Sequence, residues 1–139
     1  MTGAGRPDLE VSAVCRRDEQ LLLVRVGHGP AGGEWRLPGG TVHRGETLAE
    51  SVVARLWEQC GLTVLCGPFM GWREHLDADV HRVRMYFEAV DMGAPDVDPP
   101  GPDAAVETEW VDSHTVLDRR LESGLAEFLG DAGVIDAVV

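Results

Sequence analysis

Lysine and asparagine are absent from this sequence of 139 residues, and isoleucine occurs once, as Ile135. All twelve basic residues are therefore arginines. Such a bias is typical of a GC-rich genome, because the codons of lysine, asparagine and isoleucine are rich in A and T. The absence of lysine excludes catalysis through a lysine Schiff base and phosphate binding through a P-loop lysine.

Cysteine is scarce too, and long apolar runs are missing. Cys15, Cys60 and Cys66 give neither a disulfide framework nor a paired metal-ligand spacing. An odd number of cysteines, in an acidic chain without a signal-like start, predicts a reducing, cytoplasmic location. No apolar run approaches the ~18 residues that a membrane-spanning helix requires. The five histidines are scattered and match no zinc-binding pattern.

Acidic residues outnumber basic ones, and the formal net charge is -12. This excess lies entirely in residues 74–139, which hold sixteen acidic residues against four arginines, whereas residues 1–73 hold eight of each. Binding to nucleic acid without regard to sequence requires positive charge that neutralises phosphates. Attraction to an anionic membrane surface requires positive charge as well. We therefore expect neither nucleic acid nor a membrane as a partner.

The length fits one domain over residues 1–139, with a polar, glycine-rich start at 1–7 that we expect to be frayed. Two apolar runs, 9–15 and 21–26, are separated by the polar stretch 16–20, and this pattern predicts a β-hairpin.

A helix is predicted from Thr47 to Cys60, where apolar residues recur at helical spacing. Thr47 and Glu50 have the spacing of a capping box at the start of this helix. Gly61 has the position of a C-terminal glycine that ends it.

The rest of the chain is predicted to hold strands, two loops and a closing helix. The loops are expected at 27–33 and 93–102, where glycine or proline is frequent. The strands are predicted at 62–65, 69–73, 80–90 and 106–111, and the helix at 116–129. This order of elements indicates an α/β fold with a mixed sheet.

One segment, residues 35–62, contains a motif that indicates a function. It reads WRLPGGTVHRGETLAESVVARLWEQCGL. This segment resembles the box of the Nudix hydrolase family, G-x5-E-x7-R-E-U-x-E-E-x-G-U, in which U is aliphatic. The spacing agrees without a gap, and the matching residues are Gly40, Glu46, Leu56, Glu58, Gly61 and Leu62.

The resemblance implies an α/β/α sandwich with a mixed sheet, and hydrolysis of a nucleoside diphosphate linked to another group. It also implies assistance by Mg²⁺ or Mn²⁺, a small-molecule partner and, as is frequent in the family, a homodimer. Glutamates at i, i+3 and i+4 share one helix face and can hold Mg²⁺ through their oxygens. The metal neutralises the diphosphate and activates water.

Three positions of this box depart from the family's pattern. Ala54 stands in place of the arginine, so Glu46 is expected to lose its partner within the box. Arg55 and Gln59 stand in place of two of the three clustered glutamates, which leaves Glu58. One unit charge about 4 Å from another is worth roughly 4 kcal/mol at an effective dielectric of about 20. Because Arg55 brings a positive charge to the place of a glutamate ligand, we expect weak or absent binding of Mg²⁺ or Mn²⁺ at the box.

The candidate site residues follow from these matches and departures. The predicted catalytic residues are Glu58, Glu46 and Arg55. The predicted metal ligands are the carbonyl of Gly39, Glu58 and Glu50, because Glu50 lies two helical turns before Glu58 on one face. Acids elsewhere that could substitute are Glu74, Asp103, Glu107 and Glu109.

Substrate contacts are predicted at Trp35 and Arg36, just before the glycine-rich turn, and at Arg73, at a strand end. Three interpretations remain open. The chain is a weakened hydrolase, or it binds a nucleotide or phosphate without hydrolysis through Arg55, or it is an interaction domain. For Arg55 the simplest alternative is a surface ion pair with Glu58.

Overall fold

A hairpin begins the fold, as the sequence predicts. In a computed structural model of the chain, β1 (Asp8–Arg17) and β2 (Gln20–Val26) pair antiparallel. Asp18, in the turn between them, has a φ of 53°, a left-handed conformation that aspartate adopts more readily than most residues. The residues that the structure describes are 6–27, 32–93 and 106–135.

Six strands form the sheet, in the order β4-β5-β1-β2-β6, with β3 paired to β1. The bounds of the four later strands are Gly39–Thr41 for β3, Val64–Leu76 for β4, His81–Asp91 for β5 and Val106–Asp112 for β6. β1 and β5 run parallel, and the other pairs are antiparallel. The mixed α/β sheet that the sequence predicts is therefore confirmed.

Helix α1 spans Leu48–Cys60, in agreement with the predicted helix. Thr47 caps its start by accepting a hydrogen bond from the Glu50 backbone N–H at 3.1 Å. The Glu50 side chain accepts one in return from the Thr47 N–H at 2.9 Å, which completes the capping box. Gly61 ends the helix in a left-handed conformation, with a φ of 67°.

Thr47→Ala is expected to lower the free energy of unfolding by about 1 kcal/mol, because the Glu50 backbone N–H loses its hydrogen-bond acceptor. Thr47→Ser retains the hydroxyl and is the matched control. Urea unfolding of the two variants beside the parent chain measures the difference. Equal stabilities for both variants would show that the cap contributes nothing.

The two helices lie on opposite faces of the sheet, because the side chains of β1 alternate between two apolar clusters. Val11 and Ala13 belong to the cluster that holds α1 residues such as Leu56. Val14 belongs to the cluster that holds Phe128 of the C-terminal helix, α2 (Leu125–Asp131). This arrangement is the α/β/α sandwich that the resemblance implies, and the prediction is confirmed.

The C-terminal region differs from its prediction as one helix over 116–129. A 3-10 turn covers Val116–Asp118, and α2 covers only Leu125–Asp131. Between them the chain extends, and Leu121 forms a parallel bridge to Trp35. A contact with Trp35, which is distant along the chain, therefore lies where helix was predicted over 119–124.

The strands predicted at 62–65 and 69–73 form a single strand, β4. Pairing with β5 continues across the gap, with irregularities between Cys66 and Phe69 and between Phe69 and Gly71. Bulges of this kind absorb extra residues while the strand continues. The glycine and proline of this stretch therefore mark bulges, where the sequence analysis predicted a break.

Parts of three predictions lie outside the described residues. These are residues 1–5 of the frayed start, 28–31 of the first loop and 94–102 of the second. Within the described ranges, no helix has the length and apolar character needed to cross a membrane.

Candidate functional site

Gly39 comes directly before the first glycine of the box, at the point where β3 lies against β1. Gly39 pairs with Ser12 across the two strands and has a φ of 150°. A Cβ atom at this position would lie 2.1 Å from the carbonyl oxygen of Val11. No side chain fits this close approach of two backbones, so the glycine is required by geometry.

Gln59 binds both polar groups of the Gly39 backbone. Its Oε1 accepts a hydrogen bond from the Gly39 N–H at 3.0 Å, and its Nε2 donates one to the Gly39 carbonyl at 2.7 Å. The carbonyl that the sequence analysis predicted as a metal ligand is therefore engaged by an amide from the end of α1.

Arg55 is buried between α1 and β3, with 5% of its surface exposed. Its guanidinium group forms a two-point contact with Glu46, at 3.1 Å and 3.3 Å. It also donates to the Thr41 carbonyl at 2.9 Å and to Glu58 at 3.2 Å. One side chain thus joins the strand, the following loop and the helix.

This burial changes the interpretation of the pair formed by Arg55 and Glu58. The two residues are in contact, but Arg55 is covered, whereas 54% of the Glu58 side chain is exposed. The Nε atom of Arg55 lies 3.1 Å from Glu58 Oε2, yet its N–H makes no hydrogen bond. The ion pair with Glu58 that the sequence offered as an alternative is present, and it forms the exposed side of a cluster whose arginine is buried.

Glu46 keeps an arginine partner, contrary to the expectation from Ala54. Arg55, one residue later, takes that place. Glu46 also accepts hydrogen bonds from the His43 backbone N–H at 2.9 Å and from the Ser51 hydroxyl at 3.1 Å. The His43 hydrogen bond chiefly, with help from Ser51 and Arg55, lowers the pKa of this carboxyl below its usual range.

Glu50, predicted as a metal ligand, serves the start of α1. Its carboxylate accepts the Thr47 backbone N–H, and this hydrogen bond, followed by that of the Thr47 side chain, lowers the pKa of Glu50. The contacts that join Arg55 to Glu46 and Glu58 do not include Glu50, although the nearby charge of Glu46 opposes part of the lowering of its pKa.

The donor set at the box does not fit a divalent cation. The Gly39 carbonyl is bound by Gln59, and the carboxylates of Glu46 and Glu58 contact the guanidinium of Arg55. A dication at this place would lie beside the fixed positive charge of Arg55. Within residues 6–27, 32–93 and 106–135, no group of three or more His, Cys, Asp or Glu is arranged to hold a metal.

The acids proposed as substitutes have other partners or lie outside the described residues. Glu74 contacts His81 and Glu109 pairs with Arg119, while Glu107 pairs with Arg25 at 2.9 Å. Asp103 lies in a segment that the structure does not describe. None of these contacts joins an acid to the box.

A cleft of about 310 Å³ opens on the α2 side of the sheet. Its residues include Arg73, Arg84, Tyr86 and Glu122. Arg84 is held by Glu122 at 2.6 Å, while the Tyr86 ring stacks at 3.8 Å on a phenylalanine of α2. Burial opposes the charge of Arg84, but its acidic neighbours prevail and raise its pKa, so it stays charged.

Strand β1 lies between β3, which holds the start of the box, and β5, which lines the cleft. Glu10 of β1 binds Arg84 at 2.9 Å, and its backbone pairs with Thr41 on one side and with Arg84 on the other. The sequence analysis did not select the polar residues of β5. A signal was present, because arginine and tyrosine at 82, 84 and 86 alternate with apolar residues and mark one polar face.

The three predicted substrate contacts are placed differently from one another. Arg73 lines the cleft and is exposed, it contacts Asp131 at 3.3 Å, and its guanidinium lies 5.8 Å from the ring centre of Phe128. Trp35 is 4% exposed, and the guanidinium groups of Arg25 and Arg119 lie 4.6 Å and 5.4 Å from its ring centre. Trp35 is therefore part of the core, with no ring face open to a ligand.

The remaining residue of that set, Arg36, is half-buried and bridges to Val24 through its backbone. It is absent from the residues that line the cleft.

Comparison with known proteins adds independent information. The sequence pattern of the NUDIX domain matches residues 6–131. A protein of Methanocaldococcus jannaschii named ADP-ribose pyrophosphatase is 33% identical over 73 residues, which cover 52% of this chain and 43% of the relative. The matched segment therefore spans less than half of that relative's length.

Solved structures show the same fold. A NUDIX hydrolase from Nitrosomonas europaea superposes with a TM-score of 0.78 at 18% identity, covering 92% of this chain and 89% of that one. The NUDIX domain of NrtR from Shewanella oneidensis, complexed with ADP ribose, gives 0.68 at 22% identity, covering 92% and 87%. At these identities the likeness concerns the fold alone.

Proposed function

Since this chain belongs to the Nudix family, we propose that it binds a nucleoside diphosphate linked to another group without hydrolysing it through the box. One observation carries this proposal. The polar groups that the box would offer to a metal are engaged within the chain, by Arg55 and Gln59. Among the residues that the structure describes, the box therefore offers no set of free ligands to a metal that would activate water.

The cleft supplies the binding part of the proposal. The guanidinium group of Arg73 is half exposed, and its ion pair with Asp131 lies at the surface, so a diphosphate can compete for it. Arg84 also lines the cleft, but Glu10 and Glu122 balance its charge, so Arg73 is the arginine that we expect to contact a diphosphate. The aromatic ring of Tyr86 and the wall formed by Glu122 and Ser123 give the cleft its mixed polar and apolar lining.

Two relatives suggest the probe. One is named ADP-ribose pyrophosphatase, and another was solved in complex with ADP ribose. ADP-ribose is a nucleoside diphosphate linked to a second group, which is the class of compound implied by the box. It is therefore a reasonable first ligand to test with this chain.

Weak hydrolysis is the second candidate function, and the exposed carboxylate of Glu58 favours it. In that case Glu58, Glu46 and Arg55 are the catalytic residues, as the sequence analysis predicts. A metal ion held by Glu46 and Glu58 together, Mg²⁺ or Mn²⁺, would have to compete with the guanidinium of Arg55 for both carboxylates. The arrangement of the box therefore favours binding over hydrolysis.

Calorimetric titration with ADP-ribose, in EDTA and in Mg²⁺, tests the proposal. We expect the same Kd in both buffers, and no products by chromatography after long incubation. Arg73→Ala is expected to weaken binding about tenfold, since a charge-assisted hydrogen bond is worth about 1.5 kcal/mol. Arg16→Ala, which removes an exposed arginine outside the cleft, is the matched control and leaves Kd unchanged.

Two results would contradict the proposal. The absence of ADP-ribose binding in both buffers would remove its binding part. Turnover that appears with Mg²⁺ and disappears in Glu58→Gln would establish the hydrolase instead.

The proposal also includes a cytoplasmic setting and a homodimer. The three cysteines are free thiols, and burial raises the pKa of Cys15 to about 11 and that of Cys60 to about 12, which keeps both protonated and unreactive. Free thiols are ordinary in a reducing compartment. Light scattering after gel filtration measures the oligomeric state directly.

A further inference from the structure

Four groups whose oxygens accept hydrogen bonds lie around the space between β3 and α1. They are the carboxylates of Glu46 and Glu58 and the backbone carbonyls of Thr41 and Gly39. Oxygens gathered in this way repel one another unless a positive charge or hydrogen-bond donors lie between them.

Arg55 provides the positive charge, and Arg55 and Gln59 together provide the hydrogen-bond donors. The two Nη atoms of Arg55 reach Thr41, Glu46 and Glu58, and the amide of Gln59 reaches Gly39. A planar guanidinium suits this task because it presents several N–H groups in a rigid fork.

The side chain of Arg55 is packed closely along its length. The side chain is buried, and a Cβ atom added at Gly40 would lie 3.4 Å from its Cδ. The stem of Arg55 therefore runs directly beneath the glycine turn, while its head reaches the loop through Glu46. Removing it would leave the oxygens of the cluster without their cation.

We propose that Arg55, assisted by Gln59, is a built-in replacement for the divalent cation of the box. It holds β3, the loop and α1 together by its own positive charge. The conformation of the box is therefore independent of Mg²⁺ and Mn²⁺, in the presence or absence of a nucleotide. This inference uses the same cluster as the proposed function, but it concerns stability and does not depend on any ligand of the cleft.

The charge of the cluster makes the inference testable. In the parent chain, Arg55, Glu46 and Glu58 carry a net charge near -1. The double variant Arg55→Glu with Gln59→Glu gathers four carboxylates in the same space, and these need a dication. The matched control is Arg6→Glu with Gln20→Glu, which makes the same formal charge change at two exposed positions.

Thermal unfolding in EDTA, in Mg²⁺ and in Mn²⁺ is the measurement. The parent chain is expected to keep its Tm within about 1 °C in all three buffers. The double variant is expected to have a lower Tm in EDTA and to gain on the order of 10 °C at a hundredfold excess of cation over Kd. The control pair is expected to show no such gain.

Three results would overturn the inference. Stabilisation of the parent chain by several degrees in Mg²⁺ would show that a cation still enters the box. The inference also fails if the double variant responds to cations no more than the control does. It fails as well if circular dichroism shows the double variant unfolded in every buffer, because a cation then does not replace Arg55. A parent chain that ignores cations but fails to bind ADP-ribose would contradict only the proposed function.

Discussion

Gly39→Ala is expected to lower the free energy of unfolding by about 3 kcal/mol or more, a large part of the 5–15 kcal/mol typical of a domain. The added methyl group would lie 2.1 Å from the Val11 carbonyl oxygen and 2.9 Å from the Ser12 Cα. Both atoms belong to the backbone of a central strand, which cannot move aside. A φ of 150° is also a conformation that L-residues rarely adopt.

Gly40→Ala is the matched control, because it adds the same methyl group one residue later. There the nearest atom is the Cδ of Arg55, at 3.4 Å, which is an ordinary van der Waals contact. We expect a change within about 1 kcal/mol for this variant. Urea unfolding compares both with the parent chain. A Gly39→Ala protein as stable as Gly40→Ala would mean that β3 and β1 are farther apart than described.

Arg55→Met is expected to cost about 2 kcal/mol of unfolding free energy, although methionine fills much of the same volume. The substitution leaves the Thr41 carbonyl without a donor and two carboxylates without their cation. Removing one partner of a fully buried pair costs about 3–5 kcal/mol. The smaller figure applies because the Glu58 side chain is more than half exposed.

Two control variants separate the effect of the buried cluster from the loss of an arginine in general. Arg55→Lys keeps the charge but loses the two-point contact with Glu46, so its stability is expected to fall between the parent and Arg55→Met. Arg16→Met removes an arginine from an exposed pair with Glu88 and is expected to cost less than about 1 kcal/mol. Equal costs for Arg16→Met and Arg55→Met, measured by urea unfolding, would refute a special role for the buried cluster.

Local signals explain the parts of the fold that were predictable. The capping box at Thr47 and Glu50 and the glycine at 61 act within one turn of α1, so the helix is predicted with its bounds. The prediction of one closing helix was wrong because the conformation of this segment depends on a residue that is distant in the sequence. Leu121 pairs with Trp35, and no periodicity within 116–129 encodes that contact.

The candidate site divides in the same way. The spacing of the box placed Arg55 one helical turn before Glu58, and the two are in contact. Its other contacts are separated by nine residues, to Glu46, and by fourteen, to Thr41. They depend on how β3 approaches α1, which only the folded chain determines. The pairing of Arg84 with Glu10, across two parallel strands, was out of reach for the same reason.

The double hydrogen bond between Gln59 and Gly39 has a consequence for any variant designed to bind a cation at the box. Glutamate at position 55 alone would leave the Gly39 carbonyl still covered by the amide of Gln59. Glutamate at position 59 alone would leave the guanidinium of Arg55 against Glu46. Both positions therefore have to change together before the carbonyl and the carboxylates can face a cation.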